Sequence, residues 1–149
     1  MRNILVAIDF EEKTKNLLDN AKQLAEKFGS KIWIIHIFGN KADAVGMPET
    51  FQYGMQYISL RNMKAEELKK DHKLLHEYKE QFINDGILAE GLLMEGPTVT
   101  MILDEALKLE IDLIIIGSHK HSFLYNALME TISSSLIRKS NIPLLVVPM

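Results

Sequence analysis

No cysteine occurs in the 149 residues, and that absence removes disulfides, zinc–thiolate sites, iron–sulfur clusters and thiol catalysis together. A basic excess is missing too: the net charge is -3 and the pI near 5.9, whereas electrostatic nucleic-acid binders carry a clustered surplus of Lys and Arg. No apolar run reaches the length that spans a bilayer. Met1-Arg2-Asn3-Ile4-Leu5-Val6 enters a short strand signal directly, without the h-region and cleavage site of a signal peptide. A cytoplasmic protein with neither nucleic-acid nor membrane partners is expected.

What is present fits one globular domain over residues 1–149. Hydrophobic residues make up 47% and charged residues 25%, close to ordinary globular usage and far from disordered chains. Four apolar runs stand out, Ile4 to Ile8, Ile32 to Phe38, Leu113 to Ile116 and Leu144 to Val147, with a weaker fifth within Ile87 to Met94. They are continuous rather than alternating, as strands covered on both faces are.

Helical patterns lie between them. Leu17, Ala21, Leu24 and Phe28 share one face before Gly29, a helix stop, and Asp9 with Glu12 reads as a cap at the start. Leu68, Leu75 and Phe82 recur every seven residues from about Ile58 to Asn84, predicting a long amphipathic helix that ends near Asp85-Gly86. Pro97 suits a first turn continued by Ile102, Leu103 and Ala106, while Leu124, Leu128, Ile132 and Leu136 mark the last helix. Alternating strands and helices with right-handed crossovers give an α/β fold, a five-stranded mainly parallel sheet with helices on both faces. Such sheets bind ligands beyond the carboxyl ends of their strands, at the switch point, the edge that collects Asp9, the residues after Ile37 and the loop from Gly117. The segment from Gly39 to Gln56 reads as a long surface connection or as a lid over that edge.

Other chemistry-bearing residues form no complete constellation. His119 with His121, and His72 with His76, have spacings that two imidazoles can use to share a metal, yet neither pair has a third ligand in view. His36, inside an apolar strand, reads as a buried neutral imidazole with a hydrogen-bond partner. Ser133, Ser134 and Ser135 read as small residues for close packing, because no base is paired with them. With no nucleophile, base and oxyanion site assembled, the chain does not read as an enzyme.

Five segments together resemble the universal stress protein family: Asn3-Ile4-Leu5-Val6-Ala7-Ile8-Asp9-Phe10, Ile34-Ile35-His36-Ile37, Glu95-Gly96-Pro97, Asp112-Leu113-Ile114-Ile115-Ile116-Gly117-Ser118-His119 and Ile142-Pro143-Leu144-Leu145-Val146-Val147-Pro148. The resemblance spans essentially the whole chain. It implies a stress-response protein with a single doubly wound domain in strand order 3-2-1-4-5, and a homodimer joined through the last strand by Leu144, Val146, Val147 and Pro148. It also implies a division, since one branch of the family binds ATP through a loop of Gly, two residues, Gly, nine residues, Gly, then Ser or Thr. Laid on this chain, those positions are Gly117, Lys120, Glu130 and Thr131, followed by Ile132, so two of the three glycines are replaced. The adenosine-side positions fall on Ala7, Ile8, Asp9 and Ile37.

Side chains at the lost glycines occupy phosphate volume, and Glu130 adds like charge, which at ~4 Å and an effective dielectric near 20 repels by roughly 4 kcal/mol. Lys120 works in the opposite sense as a phosphate ligand, or it pairs with Glu130 and fills the site. The expected protein is therefore a dimeric interaction or regulatory module with a degenerate nucleotide loop, no tightly bound ATP and no cofactor. One alternative is an ATP–magnesium switch with Lys120 on the phosphates; the other is a small-molecule or metal-binding regulator.

Overall fold

Short apolar runs become strands here because each one is sandwiched. The computed structural model describes residues 1–10, 13–38, 55–118 and 132–149, with the backbone alone for 55–64. The strands are β1 (Asn3–Ala7), β2 (Lys31–Phe38), β3 (Ala89–Glu95), β4 (Leu113–Ser118) and β5 (Leu144–Pro148), and they alternate with α1 (Thr14–Phe28), α2 (Met55–Asn84), α3 (Thr98–Lys108) and α4 (Ile132–Lys139). They form one sheet in the order β3-β2-β1-β4-β5, as expected. Every neighbouring pair is parallel.

Side chains alternate across the sheet although the runs look uniform in sequence. Ile4, Val6, Ile32, Ile34, Leu113 and Ile115 meet Leu17, Ala21, Leu75 and Phe82 on the face covered by α1 and α2. Leu5, Ile35, Ile114 and Ile116 meet Ile102, Ala106 and Leu136 on the face covered by α3 and α4. Doubly wound topology thus divides one continuous apolar signal between two cores.

The helices depart from expectation at their ends. Glu12 lies outside the described residues; α1 opens at Thr14, and Lys13, rather than Asp9, holds the cap position, without a side-chain hydrogen bond. Its buried stripe is Thr14, Leu17, Leu18, Ala21 and Ala25, so Leu24 is half-buried and Phe28 is exposed. The stripe turns this way because the helix must follow the sheet rather than a single seven-residue row. Gly29 does end it, at φ 64 in the left-handed conformation that glycine adopts without a Cβ clash. Pro97 stands one position before α3 rather than in its first turn, with extended backbone at ψ 121. α2 reaches back to Met55, three residues beyond the expected start at Ile58. Ile132 is 50% exposed, whereas Leu136 on the same helix is fully buried. Leu124, Leu128 and most of the 39–56 connection lie outside the described residues.

A polar lattice closes the sheet at the amino ends of its strands. The Asp112 carboxylate accepts from the main-chain N–H of Arg2 at 2.6 Å and of Asn3 at 3.0 Å, which holds its pKa below the ordinary carboxylate value. The Asn3 amide donates to the carbonyls of Leu109 and Glu110, and its oxygen accepts from the Trp33 indole. This fixes where the chain enters β1 and β4.

Candidate functional site

The opposite, carboxyl edge is built differently. β1, β2 and β4 end side by side, and between them lies a cavity of about 290 Å³. Its floor is apolar, formed by Ile35, Ile37, Ile102 and Ile116. Ala7, Ile8 and Asp9 close it from β1, Gly117 and Ser118 from β4, and Ile132 and Ser133 from the start of α4. Of the residues singled out from sequence, Ala7, Ile8, Asp9, Ile37, Gly117 and Ile132 therefore surround one space. Lys120, Glu130 and Thr131 lie outside the described residues, as do His119 and His121.

The charge of the lining is as informative as its shape. Asp9 brings a carboxylate to the cavity, Thr98, Ser118 and Ser133 bring hydroxyls, and no Lys or Arg among the described residues lines it. Ser133 does more than allow close packing, since its hydroxyl donates to the Gly117 carbonyl at 2.9 Å and pins α4 to the end of β4.

His36 forms the wall between this cavity and a second one of about 420 Å³, lined by Asp9, Phe10, Phe38, Glu67, Lys70, Asp71 and Leu74. Its Nδ1 lies 2.8 Å from the Ile8 carbonyl oxygen. A carbonyl only accepts, so Nδ1 carries the hydrogen, and the ring is fixed in orientation. Nε2 then faces Asp71 Oδ2 at 3.8 Å. The imidazole has the partner expected of it but is half-buried rather than enclosed. Phe10 packs against it at 4.5 Å between ring centroids and stacks on Tyr78 at 6.3 Å, while burial raises the Tyr78 hydroxyl above its ordinary pKa. Phe10 holds φ 59, a conformation that a bulky residue adopts at a cost of about 1–3 kcal/mol.

Gly117 acquires a role that its sequence position concealed. A Cβ built there would lie 2.7 Å from Met149 Cγ and 2.9 Å from its sulfur. The room beside this glycine is occupied by a thioether rather than left open to an anion. Met149 itself is 8% exposed and lines the cavity. Nothing in sequence announced it, because the contact spans the chain and depends on the β4–β5 register, in which Ser118 pairs with Pro148.

His72 and His76 are exposed on α2, and among the described residues no three His, Cys, Asp or Glu side chains converge as metal ligands. No helix among them is long and apolar enough to cross a membrane.

Comparison with known proteins places this geometry. The model of the universal stress protein family matches residues 1–148. Universal stress protein YxiE of Bacillus subtilis is 28% identical over 147 residues, covering 97% of both chains. Among solved structures, UspA from Lactobacillus plantarum superposes with a TM-score of 0.76 at 15% identity, covering 98% of this chain and 97% of its own. The Archaeoglobus fulgidus universal stress protein in complex with dAMP superposes with a TM-score of 0.65 at 16% identity, covering 98% of this chain and 97% of its own.

Proposed function

Because the chain belongs to the universal stress protein family, we propose that it is a dimeric regulatory module, not an enzyme, whose switch-point cavity takes an adenosine-like ligand of low charge and does not hold ATP tightly. The carrying observation is the lining: apolar walls, three hydroxyls, one carboxylate, the His36 imidazole and no Lys or Arg among the described residues. Apolar walls suit a flat base, and a carboxylate with hydroxyls suits a ribose. A triphosphate would bring several negative charges into a cavity that already holds the Asp9 carboxylate. The dAMP complex of the Archaeoglobus relative is in keeping with an adenine-type ligand in this fold. Replacement of two loop glycines by Lys120 and Glu130 supports weak affinity for ATP.

The dimer reading rests on β5. This strand stands at one edge of the sheet, its Leu144 and Val146 are half-buried, and Ile137 on the preceding helix is 58% exposed. An apolar edge strand with free backbone groups invites pairing about a two-fold axis. Val147 is already buried in the chain's own core, so a partner would meet its backbone, with Val146 and Pro148 supplying side chains.

Titration calorimetry tests the ligand reading. Adenosine is expected to bind in the sub-millimolar range, and ATP with magnesium more weakly. An ATP dissociation constant tighter than about 10 μM, roughly -7 kcal/mol, contradicts it. Sedimentation velocity tests the dimer: Val146→Lys shifts the protein towards monomer, whereas a parent that already sediments at the 17.0 kDa monomer mass ends the proposal.

A further inference from the structure

The geometry points to Met149 as the residue that selects against phosphate in this cavity, a role that rests on the ligand reading above. Met149 follows β5, and its N–H donates to the Ser118 carbonyl at 3.2 Å, which carries the β4–β5 ladder one step past Pro148. The Asn16 amide reaches the Pro148 carbonyl at 3.5 Å from the first turn of α1. Held from both sides, the Met149 side chain lies in the α1-side core near Leu17 and emerges in the cavity against Gly117.

A glycine at the carboxyl end of a strand serves an anion by letting it approach the backbone closely. Here that approach is blocked on the side where a side chain would stand. Met149 Cγ, Sδ and Cε lie 2.7, 2.9 and 3.0 Å from the ideal Cβ position, and a phosphate oxygen cannot share that volume. The thioether offers an anion nothing in exchange, being a weak acceptor without a hydrogen to donate. The apolar floor made by Ile35, Ile37 and Ile102 lies in the same cavity and needs no movement of Met149 to receive a base. The side chain therefore penalises the charged end of a nucleotide and spares the uncharged end. Methionine suits a gate of this kind, since three rotatable bonds let it withdraw without moving the backbone.

The test measures adenosine and AMP binding by calorimetry to the parent, Met149→Ala and Met149→Leu. The parent should bind AMP about tenfold or more weaker than adenosine; Met149→Ala should close that gap to about threefold by tightening AMP, and Met149→Leu, which keeps the volume, should retain it. A Met149→Ala gap equal to the parent's, with adenosine still bound, overturns the role of Met149 and leaves the ligand reading standing. Failure of adenosine to bind any variant at millimolar concentration overturns both. Should Met149→Ala not fold, methyl-¹³C methionine spectra of the parent decide the matter, with the Met149 resonance assigned from Met149→Leu. AMP at saturation must displace that resonance further than adenosine does; equal displacement overturns the inference.

Discussion

The two ends of the sheet are made from the same strands and are finished in opposite ways. At the amino end, Asp112, Asn3 and Trp33 exchange hydrogen bonds with the chain around them, and Ser30 donates to the Met1 carbonyl at 3.0 Å. Even the left-handed residue there, Glu110 at φ 52, has its carbonyl held by Asn3. At the carboxyl end, among the described residues, a cavity lies between the strands, Phe10 is strained beside it, and Thr14, 1% exposed, has no hydrogen-bond partner for its hydroxyl. Closed polar accounts mark an end that stabilises the fold. The carboxyl end, with its cavity and its strained Phe10, is where doubly wound sheets bind ligands.

The comparison breaks first at Asn3. Asn3→Ala removes three hydrogen bonds and should lower stability by roughly 2–3 kcal/mol at about 1 kcal/mol each, read as a lower urea midpoint with an unchanged slope. Ligand binding at the far end should not change. At the other end, Gly117→Ala pushes against Met149 and should cost about 1–2 kcal/mol, as overpacking does. In a Met149→Ala background the same change should be nearly neutral, and a double-mutant cycle that shows no coupling contradicts the contact.

Thr14→Val sharpens the contrast from the opposite side. It removes a buried hydroxyl that has no partner among the described residues while keeping the shape, so it should stabilise by up to about 1 kcal/mol; a destabilised variant would mean that the hydroxyl is satisfied in solution. The smallest effect belongs to Asp112, which is exposed to solvent. Its pKa is lowered in the folded state by the N–H groups of Asn3 and Arg2. Its contribution is therefore complete above the ordinary carboxylate value and lost as pH falls through the lowered one. Melting curves of the parent and Asp112→Ala should differ at pH 7 and converge only once the pH has fallen below the lowered value.

The open end was partly legible in sequence and the closed end hardly at all. Four continuous apolar runs and a weaker fifth marked the strands, and topology then placed Asp9, the residues after Ile37 and the loop from Gly117 on one edge, because a parallel sheet sends every strand's carboxyl end the same way. Asn3 to Leu109 and Asp112 to Arg2 join residues more than a hundred positions apart, and no local pattern encodes such a pairing. Met149 against Gly117 escaped for the same reason. Asp9 was read as a cap because Asp suits both helix starts and ligand edges; here Lys13 holds the cap position and Asp9 stands at the edge of both cavities.

The most direct measurement follows backbone amide shifts during titration of the ¹⁵N-labelled protein with adenosine. The account predicts that Asp9, Ile37, Gly117, Ser118 and Ser133 move together with one dissociation constant while Arg2, Asn3, Glu110 and Asp112 stay still. Saturable shifts confined to the amino end, or none at the carboxyl end at millimolar adenosine, would contradict it.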